Sequence, residues 1–379
     1  MIRAPFASVF FAALCLVLLA PGRASAAAYT IEGDTAGTVA SYTVKDKDTL
    51  YSVARHFDIG IVEMMAANPG VDPWIPPVGK VLTLPGAYVL PTVARKGIVI
   101  DLSELRLFYF SEDDKNTVMT FPLGIGMDGW STPTGVTSIV LKREHPTWIA
   151  PDSILAANPD MPKMVLPGPD NPLGDYAMNL GWQGFRIHGT NKPYGIGRRS
   201  SHGCMRMYPE DIETLFKAVK VGTPVTVIDT PYKIGWKEDT LYLQTTPSQA
   251  QADEIVARKV VTLTDIPQMY GDLRALAGEG AVLDWHAIHE AAMWRSAVPI
   301  VIATRQGGAP AAQVVAPAAN QEAAPAPFVT TQQPVPPAAA PPEAAPIAIP
   351  EILPPVAKQE EDSEEDATEE AAPVPQPAQ

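Results

Sequence analysis

Phe185-Arg-Ile-His-Gly-Thr-Asn-Lys-Pro-Tyr-Gly-Ile-Gly-Arg-Arg-Ser-Ser-His-Gly-Cys-Met-Arg-Met207 is the stretch on which the reading of this sequence turns. It holds Cys204, one of only two cysteines in 379 residues, and two of the six histidines, His188 and His202. A free thiol titrates near about 8.5, and a nearby imidazole is the usual means of drawing off its proton at neutral pH. Gly189, Gly195, Gly197 and Gly203 make the intervening loop permissive, so that the chain can fold back and bring His188 to Cys204. Gly203 would also allow close approach of a substrate and turn backbone N–H groups toward a developing oxyanion. A lone cysteine is more often a buried, inert one. Two histidines on either side of a glycine-rich loop reverse that prior.

Outward from this stretch, short β-branched and apolar runs precede it: Ile98-Val-Ile-Asp-Leu, Arg106-Leu-Phe-Tyr-Phe, Thr117-Val-Met-Thr-Phe and Thr137-Ser-Ile-Val-Leu. They read as strands punctuated by loops at Thr132-Pro-Thr-Gly135 and Pro167 to Gly174. After it, Pro209-Glu-Asp starts a helix that Gly222 can end, and Pro224 to Asp229 returns to strand. The region is mainly β with one evident helix.

Together, His188-Gly-Thr, the glycine-rich loop, Ser201-His-Gly-Cys204-Met-Arg206, and the loops Thr132 to Gly135 and Asn171-Pro-Leu-Gly174 resemble the L,D-transpeptidase catalytic domain over residues 97–229. Met205 stands where that family commonly has a β-branched residue. The resemblance implies a β-sandwich with the cysteine in a groove. It implies that Cys204 attacks the carbonyl after the L-centre of diaminopimelate in a tetrapeptide stem, releasing D-alanine, and that His188 serves as base, oriented by the carbonyl of Gly189. His202 and Gly203 belong to the motif; Ser201 and Arg206 are read as substrate-binding, with a structural ion pair as the alternative for Arg206. The acceptor would be another diaminopimelate amine or a lysine of an outer-membrane protein. Hydrolysis by the same site, or a non-catalytic peptidoglycan anchor, are the competing readings. Papain-like peptidases are disfavoured because there the cysteine precedes the histidine.

Upstream, Tyr42-Thr-Val44 reads as a strand, Asp48 or Thr49 as a helix cap, and Leu50, Val53, Ala54 and Phe57 as one helical face. A second helix over Ile61 to Ala67 stops at Asn68-Pro-Gly70, and Gly79 to Pro85 closes as a strand. This βααβ pattern over residues 41–85 resembles a LysM domain, which implies binding of N-acetylglucosamine-containing glycan such as peptidoglycan.

The remaining segments bound the rest. Residues 1–26, with Arg3, the apolar run Val9 to Leu19 and Ala24-Ser-Ala26, read as a cleavable signal peptide, which places the protein in the periplasm at the cell wall. A short polar linker follows. Residues 230–304 carry a hairpin pattern at Gly235 to Leu243 and helical patterns at Ser248 to Val260 and Leu283 to Arg295, with no assignable fold. His286, His289 and Glu290 read as part of an amphipathic helix rather than a metal site. Residues 305–379 read as a disordered Pro/Ala-rich acidic tail, where many of the 40 prolines and much of the net charge of −14 reside. No basic patch suggests nucleic acid, and no metal or organic cofactor is implied.

Overall fold

The computed structural model describes residues 28–278 and 281–305. The signal-peptide and acidic-tail expectations fall outside these residues, apart from the signal's neighbour Ala28 and Arg305.

The four β-rich runs form the centre of one large sheet. Gly97–Asp101 pairs antiparallel with Arg106–Phe110, which pairs with Thr117–Pro122, while Pro224–Ile228 runs parallel to Gly97–Asp101 on the other side. The two central strands are buried at every position, which is why they read as continuous apolar runs rather than alternating ones. Gly135–Glu144 decides the architecture. Its first half pairs with Pro224–Ile228, its register shifts between Ile139 and Leu141, and its second half pairs with Tyr176–Leu180. That bulge bends the strand and turns the sheet back over itself. Arg186–His188 and Met205–Arg206 complete the returning half. Between the halves lies a core that includes Ile98, Ile100, Leu107, Phe121, Ile139, Met178, Ile187 and Met205, sealed by Ile212 and Leu215 of helix Pro209–Ala218. This is the layered β arrangement the sequence predicts.

Residues 41–85 fold as strand, helix, helix, strand. Ala40–Thr43 pairs with Val81–Leu84, and helices Leu50–His56 and Ile61–Ala67 pack over them around Leu50, Ile61, Met64 and Leu82. Thr49 is the cap: its Oγ1 accepts from Ser52 N at 2.9 Å. Asp48 instead accepts from Tyr42 Oη and Lys45 N.

Two elements differ from the sequence reading. The stretch read as a polar linker forms strands Ala28–Glu32 and Thr35–Gly37, which extend the large sheet through Thr117–Pro122. Residues 230–304 form a folded unit of three strands, Tyr232–Lys237, Thr240–Thr245 and Ile300–Thr304, with helices Gln249–Val256, Pro267–Ala277 and Trp285–Trp294. Its own core includes Leu241, Leu243, Met269, Leu273 and Ile288. Helix Pro267–Ala277 has no counterpart in the sequence reading.

The segment 41–85 is locked to the β layers by polar groups, some of them out of water. Arg106, fully buried, donates to Glu63 Oε2 at 2.6 Å, to Asp58 O at 3.0 Å and to Thr120 Oγ1 at 3.3 Å, and lies 4.4 Å from the centre of the Tyr88 ring. Arg55 grips Glu210 through Nε and Nη2 at 2.7 and 2.8 Å. Gly197 sits against this interface at φ +73°, where a Cβ would lie 2.2 Å from Ile61 N. Only glycine fits there.

Candidate active site

Strands Arg186–His188 and Met205–Arg206 run parallel, with Ile187 opposite Met205 and His188 opposite Arg206. Side chains alternate along a strand, and Ile187 and Met205 both enter the core. Arg186, His188 and Arg206 therefore share the opposite face, and Cys204 enters the strand on that same side. The folding back predicted from the glycines is thus realised as strand pairing, which holds His188 and Cys204 on one face more rigidly than a loop would.

His188 is buried, at 4% exposure. Its Nδ1 lies 2.6 Å from Gly189 O; a carbonyl can only accept, so Nδ1 carries the proton and Nε2 presents a lone pair. Gly189 is itself fixed, its N–H donating to Tyr176 O at 3.1 Å. Burial, then the charge of Arg206, pushes the His188 imidazole down from 6.5 to about 3. The imidazole is neutral across the physiological range.

Cys204 is half-buried, with Sγ 3.5 Å from Gly184 O. Burial raises its pKa, while the Arg186 backbone N–H and the charges of Arg186 and Arg206 pull the other way. At rest the thiol and the imidazole are thus both neutral, and the charges of Arg186 and Arg206 favour the thiolate as it forms.

The turn before the thiol is tightly tied. Ser201 Oγ donates to Cys204 O at 2.6 Å and accepts from Gly203 N at 3.2 Å. The N–H of Gly203 is therefore engaged within the turn. Ser201 is likewise buried in this turn and shapes it rather than facing the groove. Gly203, at φ +99°, is required for a steric reason: a Cβ would lie 3.1 Å from the Phe185 ring. His202 stands edge-on to Trp130 at 4.8 Å between ring centres, and burial followed by the charge of Arg206 lowers its pKa.

Arg206 donates through Nη1 to Ser200 O at 3.0 Å, and its buried Nε has no hydrogen-bond partner among the described residues. It joins no ion pair there. The alternative of an internal salt bridge is thereby removed, and a guanidinium with unused donors is left beside the thiol.

Three contributors escaped the sequence reading. Arg186 shares the reactive face. Thr132 Oγ1 donates to Gly203 O at 2.9 Å, tying the nucleophile turn to a loop 71 residues earlier. Asn171 braces the segment over the sheet, its Nδ2 donating to Pro146 O at 2.7 Å and its Oδ1 accepting from Leu173 N at 2.9 Å. Beneath that segment a cavity of about 80 Å³ is lined by Arg143, Asn179 and Arg186 from the sheet and by Pro146, Ile149 and Leu173 from above. Thr132 and Asn171 stood in loops already singled out; nothing local marked Arg186.

Among the described residues no cluster of three or more His, Cys, Asp or Glu is placed to hold a metal ion. Glu290, considered with His286 and His289, accepts from Trp294 Nε1 at 2.9 Å.

Comparison with known proteins converges on the same segments. The L,D-transpeptidase catalytic domain family matches residues 95–227 and the LysM domain family matches residues 42–85. Among curated proteins, the probable L,D-transpeptidase YbiS of Escherichia coli (strain K12) is 37% identical over 76% of this chain and 96% of its own length. The probable L,D-transpeptidase ErfK/SrfK of the same strain is 38% identical over 69% of this chain and 85% of its own. The probable L,D-transpeptidase YcfS, also of that strain, is 43% identical over 50% of this chain, and the match spans 61% of that protein.

Proposed function

The chain belongs to the L,D-transpeptidase family, and from that premise we propose that it forms and transfers a thioester of a peptidoglycan stem peptide, with Cys204 as nucleophile and His188 as base. The observation that carries this reading is the parallel pairing of Ile187 with Met205, which puts His188 and Cys204 on one face with Nε2 free to accept.

Cys204 Sγ attacks the carbonyl carbon that joins the L-centre of diaminopimelate to D-alanine, and the thiol proton passes to His188 Nε2. As the C–N bond breaks, that proton moves to the departing amine of D-alanine, leaving a thioester on Cys204. An acceptor amine then attacks the thioester, gives its proton to His188, and the C–S bond breaks; His188 returns the proton to sulfur. The acceptor is the side-chain amine of another diaminopimelate or of a protein lysine. Gly189 O holds the imidazole tautomer throughout, as an orienting carboxylate does in serine triads. Arg186 and Arg206 provide charge for the stem's carboxylates, and a bound carboxylate offsets the repulsion that depresses His188, making it a stronger base when substrate is present. The LysM segment binds peptidoglycan glycan, and the protein acts at the wall, outside the cytoplasmic membrane. No organic or metal cofactor enters this scheme.

Incubation with purified disaccharide-tetrapeptide tests the proposal. Release of D-alanine with cross-linked dimers, both absent in Cys204→Ala, is the expected result. Release of D-alanine with tripeptide as the sole other product would make water the acceptor and the protein an L,D-carboxypeptidase.

A further inference from the structure

Helix Leu50–His56 of the LysM segment and the loop that links His188 to Ser201 face one another across an open cleft of about 580 Å³. Tyr194 lines it and Trp74 packs beside Tyr194 and Tyr51 at its edge, and the folded chain leaves both of these rings, Trp74 and Tyr194, in water. Trp74 is 51% and Tyr194 62% exposed, and their ring centres lie 6.0 Å apart at 48°. Tyr51, buried, backs both: it stacks on Trp74 at 4.5 Å and meets Tyr194 edge-on at 5.6 Å. Exposed aromatic rings held in place by packing behind them are a costly feature unless they meet a ligand. The cleft is polar elsewhere, with Ser52, His56 and the Arg55–Glu210 pair along it. Arg55 uses Nε and Nη2 on Glu210, which leaves Nη1 and the second Nη2 hydrogen free to donate.

Apolar ring faces beside a fixed set of donors and acceptors match the chemistry of an N-acetylated hexosamine. Its pyranose C–H faces pack on aromatic rings, and its hydroxyl and acetamido groups need hydrogen-bond partners. We propose that Trp74 and Tyr194, with the Arg55–Glu210 floor, form one composite glycan-binding site built jointly by the LysM segment and the catalytic loop. This rests on the reading that the LysM segment binds glycan, and adds that the catalytic domain supplies half of the site.

The placement has a functional consequence. Tyr208, which also lines the cleft, is four residues beyond Cys204, so the two Cα atoms are at most about 14 Å apart. A four-residue stem peptide hanging from the bound sugar has a similar reach of about 14 Å. The cleft thus lies within about one stem-peptide length of the thiol.

Calorimetric titration of the full chain with a soluble oligomer of N-acetylglucosamine tests this. Tyr194→Ala is expected to weaken binding about tenfold, Trp74→Ala by at least as much, and Tyr194→Phe to bind as the parent does, since the ring and not the hydroxyl makes the contact. Tyr194 is exposed enough that its truncation leaves the fold intact. Full affinity in Tyr194→Ala with loss in Trp74→Ala would overturn the shared site while leaving glycan binding by the LysM segment standing. Equal weakening in Tyr194→Phe and Tyr194→Ala would overturn ring stacking. Absence of binding in the parent chain would overturn the LysM reading itself, and this proposal with it.

Discussion

Cys204 and His188 rest as neutral partners, and that state has a measurable consequence. A base must be unprotonated to act, and with His188 depressed to about 3 it remains so at neutral and mildly acidic pH. Raising the pH instead populates the thiolate of Cys204, whose own pKa burial has raised. The acylation rate is therefore expected to show no inflection at the ordinary histidine value of 6.5 and to change only where the thiolate becomes populated at alkaline pH, measured as single-turnover formation of the acyl-enzyme. A bell centred near neutrality would contradict the assigned charge states. Arg206 bears on the same balance: Arg206→Gln is expected to raise KM for the tetrapeptide donor about tenfold, as the loss of one charged hydrogen bond predicts. At this scale the sequence was informative where groups are local: His188 and Cys204 stand out as candidates by residue type and spacing, whereas the part of the Gly189 carbonyl came only from what the family resemblance implies. Arg186 and the role of Thr132 were not legible, since each acts through a strand register or a contact 71 residues away.

Between elements, the fold relies on close approaches that tolerate no added atom. Gly197 combines a left-handed backbone with contact against Ile61 N and Gly60 Cα at 2.2 and 2.3 Å from a notional Cβ. Gly197→Ala is expected to lower stability by about 2–4 kcal/mol, the sum of left-handed strain and overpacking, read by denaturant unfolding, and to open the LysM junction to limited proteolysis. Arg106→Ala leaves Glu63 buried without its partner and is expected to cost about 3–5 kcal/mol, read the same way. Helix Leu50–His56 was legible because capping and 3.6-residue periodicity coincide there, and helix Ile61–Ala67 because Asn68-Pro-Gly70 stops it. Helix Pro267–Ala277 was not, since Gly271 interrupts its pattern and its stability comes from the packing of Met269 and Leu273 on strands to either side in sequence. Strands Ala28–Glu32 and Thr35–Gly37 were hidden for a related reason: their side chains are largely exposed or half-buried, and the strand that ties Ala28–Glu32 into the large sheet is about ninety residues away.

Across the whole molecule, the LysM segment, the β layers and residues 230–304 share buried charge that no local pattern reveals. Glu63 reads as a surface residue of an amphipathic helix until Arg106 is found opposite it. Asp211 is buried on helix Pro209–Ala218 and hydrogen-bonded to Asp58 of the LysM segment; burial, then the Asp58 charge, holds its pKa well above the carboxylate range. A group whose pKa is raised by folding stabilises the native state below its unfolded value and loses that contribution as the pH rises through its folded value. The melting temperature is therefore expected to fall as the pH is raised above the ordinary carboxylate range, until Asp211 is ionised in the folded protein. Asp211→Asn, which keeps a donor for Asp58 and cannot ionise, is expected to flatten that decline, as followed by thermal unfolding at several pH values. A steeper decline in the variant would count against this pairing.

The central claim is that Cys204 carries the stem peptide as a thioester. Intact-protein mass spectrometry after brief exposure to disaccharide-tetrapeptide tests it most directly. The account predicts an adduct equal to the donor less D-alanine, located on the peptide containing Cys204, labile to hydroxylamine and absent from Cys204→Ala. An unmodified Cys204 under conditions where D-alanine is released would contradict it.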